Sequence, residues 1–147
     1  MGQAIVNGPG EGELLAVAGN EIVFKAGAAE TDGQMGVLEY TAAPGFAGPP
    51  PHVHHRTVEV FYVLDGELTM LVGDETITAS PGSCVVVPPD TRHTFSNAGS
   101  EPVRFLGVYT PAGFEQYFKD LAALLAGGPL DPAAVAEVSA RYDIENA

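Results

Sequence analysis

The chain has no tryptophan, one cysteine and only six basic residues among its 147. A single cysteine, Cys84, excludes an intrachain disulfide, and nothing points to an oxidising compartment. Cys84 lies in the apolar run from Ser83 to Val87, where a small buried side chain is expected rather than a reactive thiol. Against the six basic residues stand nineteen acidic ones, for a formal net charge of −13. A surface of that sign repels phosphate backbones and anionic headgroups, which argues against nucleic acid and membrane as partners. The acidity is read as solubility. No apolar run approaches the roughly 18 residues of a membrane span. The opening Met-Gly-Gln-Ala-Ile-Val has no basic residue, and Val6 breaks the myristoylation pattern, so a cytoplasmic protein is expected. Also missing are a glycine-rich phosphate loop, a CxxC pair and a GxSxG elbow. Nucleotide-dependent, thiol-redox and serine-hydrolase chemistry therefore have no support.

What is present is a core-forming composition, 46% hydrophobic and 17% charged, in a length suited to one domain. Residues 1–12 are glycine-rich and expected to trail loosely. Short β-rich runs follow, with turn residues between them. Asp65-Gly66 is a strong two-residue hairpin signal, and Gly73-Asp74 marks another turn. About ten such runs, with no long helical pattern among them, argue for an all-β antiparallel sandwich or barrel over residues 1–112. The pattern changes in residues 113–147, which are expected to add helices to the same domain. Phe114, Tyr117, Phe118, Leu121, Leu124 and Leu125 recur at three- and four-residue spacing, and Gly127-Gly128-Pro129 ends that helix. Asp131-Pro132 reads as an N-cap with proline in the first helical position, opening a second helix through Val135, Val138 and Tyr142. These helices should lie on the barrel or at a dimer contact.

The chemistry concentrates in His52-Val-His54-His-Arg-Thr-Val-Glu59, with His93 later in the chain. Side chains two apart in a strand share a face, so His52 and His54 point one way while Val53 and His55 point the other. Glu59 lies five residues beyond His54, and an uninterrupted strand would put it on the wrong face. A turn or bulge over residues 55–58 removes the conflict. From Glu59, alternation carries Phe61 and Val63 inward, and from His93 it carries Phe95, as a possible apolar wall of a cavity. Three imidazoles and a carboxylate form a natural ligand set for a first-row transition metal, and affinity order does not choose among Fe, Mn, Ni, Co, Cu and Zn.

This stretch resembles the cupin superfamily. The first cupin motif has HxH, four residues, Glu, six residues and Gly, met here by His52, His54, Glu59 and Gly66. The second is met by Gly82, Pro88, His93 and Asn97, with Asp90 where the family has an inner glycine. The resemblance implies a single-domain cupin-type β-barrel (jelly roll) with a short C-terminal helical extension. It also implies one divalent transition metal held by His52, His54, Glu59 and His93, and commonly a homodimer. The wider stretch from Pro49 to Glu67 is similar to small bacterial cupins of the quercetin dioxygenase-like group. That implies an aromatic or polyphenolic small-molecule substrate and dioxygenase chemistry, with Glu59 as both ligand and catalytic base.

Two other functions use the same residues. A metal-dependent polyketide cyclase would polarise a carbonyl without oxygen, with a base such as Glu39 or a metal-bound hydroxide removing the adjacent proton. A small-molecule binding protein would have the site and no turnover, since this barrel hosts many functions. His55 is expected to face away from the metal, Arg56 and Arg92 to sit at the rim, and Tyr40 and Tyr62 to pack.

Overall fold

The computed structural model describes residues 2–129 and 131–147. Two antiparallel sheets face each other. The first holds six strands: β1 (Glu13–Val17), β2 (Asn20–Ala26), β3 (Gly36–Ala42), β5 (Val58–Asp65), β8 (Cys84–Val87) and β10 (Val103–Thr110), in the order β1-β2-β3-β10-β5-β8. The second holds β4 (His52–Val53), β6 (Leu68–Val72), β7 (Glu75–Ala79), β9 (His93–Ser96) and β11 (Glu145–Asn146), in the order β11-β4-β9-β6-β7. This is the expected all-β jelly roll. A short helix α1 (Ala28–Thr31) leads from β2 towards β3, and α2 (Phe114–Ala126) and α3 (Pro132–Ala140) follow β10. Among the described residues no helix is long and apolar enough to cross a membrane.

Two-residue alternation builds the core. Ile22 and Phe24 of β2, Leu38 and Tyr40 of β3, and Phe105 and Tyr109 of β10 are buried between the sheets, with Phe61 and Val63 of β5 and Leu68 and Met70 of β6. Tyr40 and Phe105 stack at 5.1 Å and an interplanar angle of 10°, while Phe95 meets both rings edge-on. Gly36 opens β3 because a Cβ there would run into the ring of Tyr109, its cross-strand neighbour. Asn97 ties the end of β9 to the other sheet, its side-chain amide donating to the carbonyls of Ala42, Ala43 and Glu101.

The amphipathic helix forms as its spacing predicts and packs on the barrel. Phe118 lies 6.3 Å from both Phe24 and Tyr40, and Leu121 and Leu125 join the same cluster. Asp131 caps α3 by accepting from the Ala133 amide at 3.0 Å, with Pro132 in the first helical position. In the first turn of α2 the Glu115 carboxylate accepts from the amide of Gly113 and from that of Ala28 at the start of α1, which ties the two helices together.

Three local expectations fail. Asp65-Gly66 is no hairpin: β5 pairs with β10 and β8, whereas β6 pairs with β7 and β9, so this turn carries the chain from one sheet to the other. Gly73-Asp74 does close a hairpin, with Val72 opposite Glu75. Cys84 is exposed, because β8 is an edge strand and Cys84 lies on its outer face. The N-terminal segment is not wholly loose, since Lys25 donates to the carbonyls of Gly8 and Glu11, and Asn7 donates to that of Lys25.

Gly48 precedes the first ligand strand at φ +82°, and a Cβ there would collide with the carbonyl oxygen of Phe95. Gly19 has nearly the same φ, +81°, with open space around it. Replacing Gly19 by Ala should cost about 1 kcal/mol, the left-handed backbone penalty alone. Gly48→Ala should cost at least about 2 kcal/mol, because the clash adds to that penalty and falls on backbone that cannot swing aside. Urea unfolding of the two variants checks the difference.

Candidate metal centre

The donors come from both sheets. His52 in β4 stands directly opposite His93 in β9, and Glu59 comes from β5 across the sandwich. The chain bends at His55 and Arg56 between β4 and β5, so Glu59 returns to the face of the two histidines. The expected break in the strand is thus a bend, and β5 opens one residue earlier than Glu59, at Val58. His52, His54, Glu59 and His93 each bring a ligand atom to within 4.8 Å of the others. Oε2 of Glu59 lies 3.1 Å from Nε2 of His54 and 3.1 Å from Nε2 of His93. Two ligand atoms that each stand about 2.1 Å from a shared ion are about 3 Å apart, so these contacts fit a shared cation.

Hydrogen bonding decides which nitrogen each ring turns inward. A carbonyl only accepts, so Nδ1 must carry the proton wherever it meets one. It does so in all three rings: His52 donates to Pro50 at 2.8 Å, His54 to Asp143 at 2.8 Å and His93 to Thr91 at 2.9 Å. Each ring then turns its Nε2 towards the centre. Lone pairs facing an ionised carboxylate repel unless a proton or a metal cation lies between them.

The titration behaviour fits that picture. Burial pushes His52 down to about 4, outweighing its bond to Pro50, so this imidazole is neutral at pH 7. Burial also opposes charge on His54, but the Glu59 hydrogen bond and charge together with the Asp143 carbonyl outweigh it and raise the pKa. Burial would raise Glu59, yet bonds from His54 and His93 overcome it and hold the carboxyl down to about 2. Glu59 is therefore ionised. It is also the most open member, 17% exposed in its side chain, where the three histidines are 0–8% exposed.

The other sequence candidates lie elsewhere. His55 is exposed and turned away, its Nδ1 on Asp90 at 2.7 Å and its Nε2 on Glu145 at 2.8 Å. Two carboxylates on one ring favour the imidazolium and raise the pKa, the Glu145 bond most. Arg92 donates to the carbonyls of Ala147 and Gly73. Glu39 is not in the barrel interior. In β3 it alternates against buried Leu38 and Tyr40, so it emerges on the outer face and meets Arg104 at 3.6 Å. Phe61 and Val63 do point inward, but at 1% and 0% exposure they are packed on all sides and line no void. Phe95 is partly buried, 5.7 Å from Phe61 and 6.0 Å from Phe46.

Three neighbours of the centre were not foreseen. Phe114, the first residue of α2, sets its ring 5.0 Å from that of His54. Tyr109 pairs with Glu59 across β5 and β10, and its ring lies 4.9 Å from Phe114. Burial, with the Glu115 carboxylate beside it, pushes the Tyr109 hydroxyl well above the usual phenol range, so it stays a donor. The third is Asp143, whose carbonyl takes the His54 proton. Parity from Glu59 and the apolar stripe of α2 hold the signals for Tyr109 and Phe114 only once the two are placed together.

Known proteins are similar to this chain in sequence and fold. The cupin domain family matches residues 38–109. Quercetin 2,3-dioxygenase from Bacillus subtilis is 30% identical over 128 residues, or 86% of this chain. The chain belongs to the cupin superfamily. The match spans only 37% of the Bacillus protein's length. A polyketide cyclase from Streptomyces resistomycificus superposes with a TM-score of 0.55 at 22% identity, covering 62% of this chain and 64% of its own. A Streptomyces nucleoside dehydratase gives 0.60 at 19% identity, covering 78% and 88%. At these identities the two structures speak for the fold.

Removing one donor tests the set. His93→Ala should abolish stoichiometric uptake of a divalent transition metal, as read by elemental analysis after dialysis, while the far-ultraviolet circular dichroism of the barrel persists. Metal content equal to that of the parent would disprove the assignment of His93.

Proposed function

We propose that this cupin is a metal-dependent enzyme acting on an aromatic or polyphenolic small molecule, with dioxygenase-type chemistry. The observation that carries the proposal is the convergence of three oriented Nε2 atoms and one ionised, partly open carboxylate. The 30% identity to a quercetin 2,3-dioxygenase along most of the chain supports the choice of reaction. In this reading His52, His54, Glu59 and His93 hold one divalent transition ion, which supplies a Lewis-acid centre that can also engage dioxygen.

The chain's own residues then have defined tasks. Backbone carbonyls at Pro50, Thr91 and Asp143 keep the three rings aimed. Glu59, ionised and the most accessible donor, accepts the proton of a substrate hydroxyl. The rings of Phe114 and Tyr109 border the centre as a buried apolar wall.

Polyketide cyclisation without oxygen is the second reading, favoured by the same ionised carboxylate. The placement of Glu39 on the outer face removes it as the base, which leaves Glu59 or a hydroxide at the metal to take the proton next to the carbonyl.

Oxygen uptake separates the two. With flavonols and protein loaded with Fe, Mn, Ni, Co or Cu, the dioxygenase reading expects one O₂ consumed per substrate lost. Product formation that persists under anaerobic conditions with a polyketide would overturn it in favour of the cyclase. Binding without turnover under both conditions would leave a binding protein. For either enzyme Glu59→Gln should lower kcat/KM by at least about 100-fold, the usual contribution of a general base. Steady-state kinetics at matched metal content check this.

A further inference from the structure

The strand that carries the first two ligands has little of its own to hold it. β4 is two residues long, and its register with β9 consists of the single pair His52–His93. The turn after it must reverse the facing of the chain within five residues, so that His54 and Glu59 address one centre.

Both deficits are met by the segment after α3. Residues 143–147 run alongside 51–57. Glu145 pairs with Val53 and Asn146 with His52, and the Ala147 amide donates to the Pro51 carbonyl at 2.9 Å. At the head of this segment, Asp143 spends every acceptor on the ligand turn. Oδ1 accepts from the amide of His55 at 2.9 Å, and Oδ2 accepts from the amide of Arg56 and the hydroxyl of Thr57, each at 2.9 Å. Its carbonyl accepts from Nδ1 of His54 at 2.8 Å. A left-handed backbone, φ +60°, lets one residue send its side chain and its carbonyl to neighbouring parts of the same turn. Tyr142 beside it is anchored to α2 through Asp120.

We propose that Asp143 is the positioning residue of this site: its carboxylate sets the turn joining His54 to Glu59, and its carbonyl fixes the His54 ring. The proposal rests on the reading of His52, His54, Glu59 and His93 as metal ligands. It makes the helical extension part of the metal site, since the extension delivers the residue that holds two ligands in register. Partners of ligands, rather than ligands, commonly change metal affinity by about 10- to 100-fold when removed.

The test uses the full chain and Co(II), whose visible absorption reports ligand geometry. Asp143→Asn keeps size and tolerates the left-handed backbone but replaces one acceptor oxygen by a donor. Asp143→Gly suits the backbone and removes the carboxylate. In the metal-free variants, amide exchange at His55 and Arg56 should quicken while circular dichroism stays that of the parent. Co(II) affinity should fall about 10- to 100-fold, with a shifted absorption band. A role confined to fold stability would lower the melting temperature and leave the Co(II) spectrum alone, and that outcome overturns the proposal. So does parental affinity in both variants. If the parent itself takes up no Co(II), the metal reading has failed and the proposal falls with it, a result the parent titration identifies by itself. Should both variants fail to fold, Thr57→Val removes one donor to the same carboxylate: several-fold weaker Co(II) binding supports the role, and unchanged binding overturns it.

Discussion

Four groups that need protons or a cation between them are held together in this barrel. Three imidazole rings face a carboxylate that is ionised, in a place from which most water is excluded. Such a cluster is unfavourable as it stands, and only protons or a cation between the groups relieve it. The fold must therefore supply the holding force. It does so with three backbone carbonyls that engage the far nitrogens of the rings, and with two sheets that approach from opposite sides. Loss of either would let the rings turn away and the repulsion relax. The readiness to take a cation is thus built into the hydrogen bonding of the apoprotein.

The same constraint explains why the chemistry narrows to Glu59. His52 is neutral because burial disfavours a charge there. The other two rings share Oε2 of the one carboxylate. Aromatic rings fill the remaining interior from Phe61 to Phe105, and a polar substrate would find few partners among them. What the centre offers outward is one carboxylate, with the buried rings of Tyr109 and Phe114 packed beside the site.

Much of this was legible in the sequence, and the failures share a cause. Parity over two residues placed His52 and His54 on one face, and five residues to Glu59 demanded the bend that residues 55 and 56 make. The departure at Asp90 is also understood, because Asp90 takes φ +62°, a left-handed conformation that aspartate tolerates where the family uses glycine. Local patterns misled where the answer depended on the neighbouring strand. Asp65-Gly66 has the chemistry of a hairpin, yet tertiary pairing sends its two strands to different sheets. The run at Cys84 is apolar on both faces, so alternation could not say which face is outside. Glu39 was readable from its own parity against Leu38 and Tyr40, and the alternation overrides the apolar look of the strand. Asp143 was beyond reach, because its partners lie 86–89 residues away and a lone aspartate after a helix carries no motif.

That distance bears on where the functional unit ends. The composition divides near residue 112, and the family match stops at 109. The packing does not divide there. Phe118, Leu121, Leu125, Tyr142 and Ile144 close over the barrel core, Phe114 lies against a ligand ring, and β11 completes the sheet that carries His52. β4 has only one paired residue on its β9 side, and the last segment pairs with both of its residues, Glu145 with Val53 and Asn146 with His52. A cation that orders the histidines should by linkage stabilise the docked tail, since a ligand bound by the native state alone stabilises every element the site requires. The histidine–glutamate cluster and the helical extension are joined by direct contacts, although the sequence motif of the site covers only the barrel.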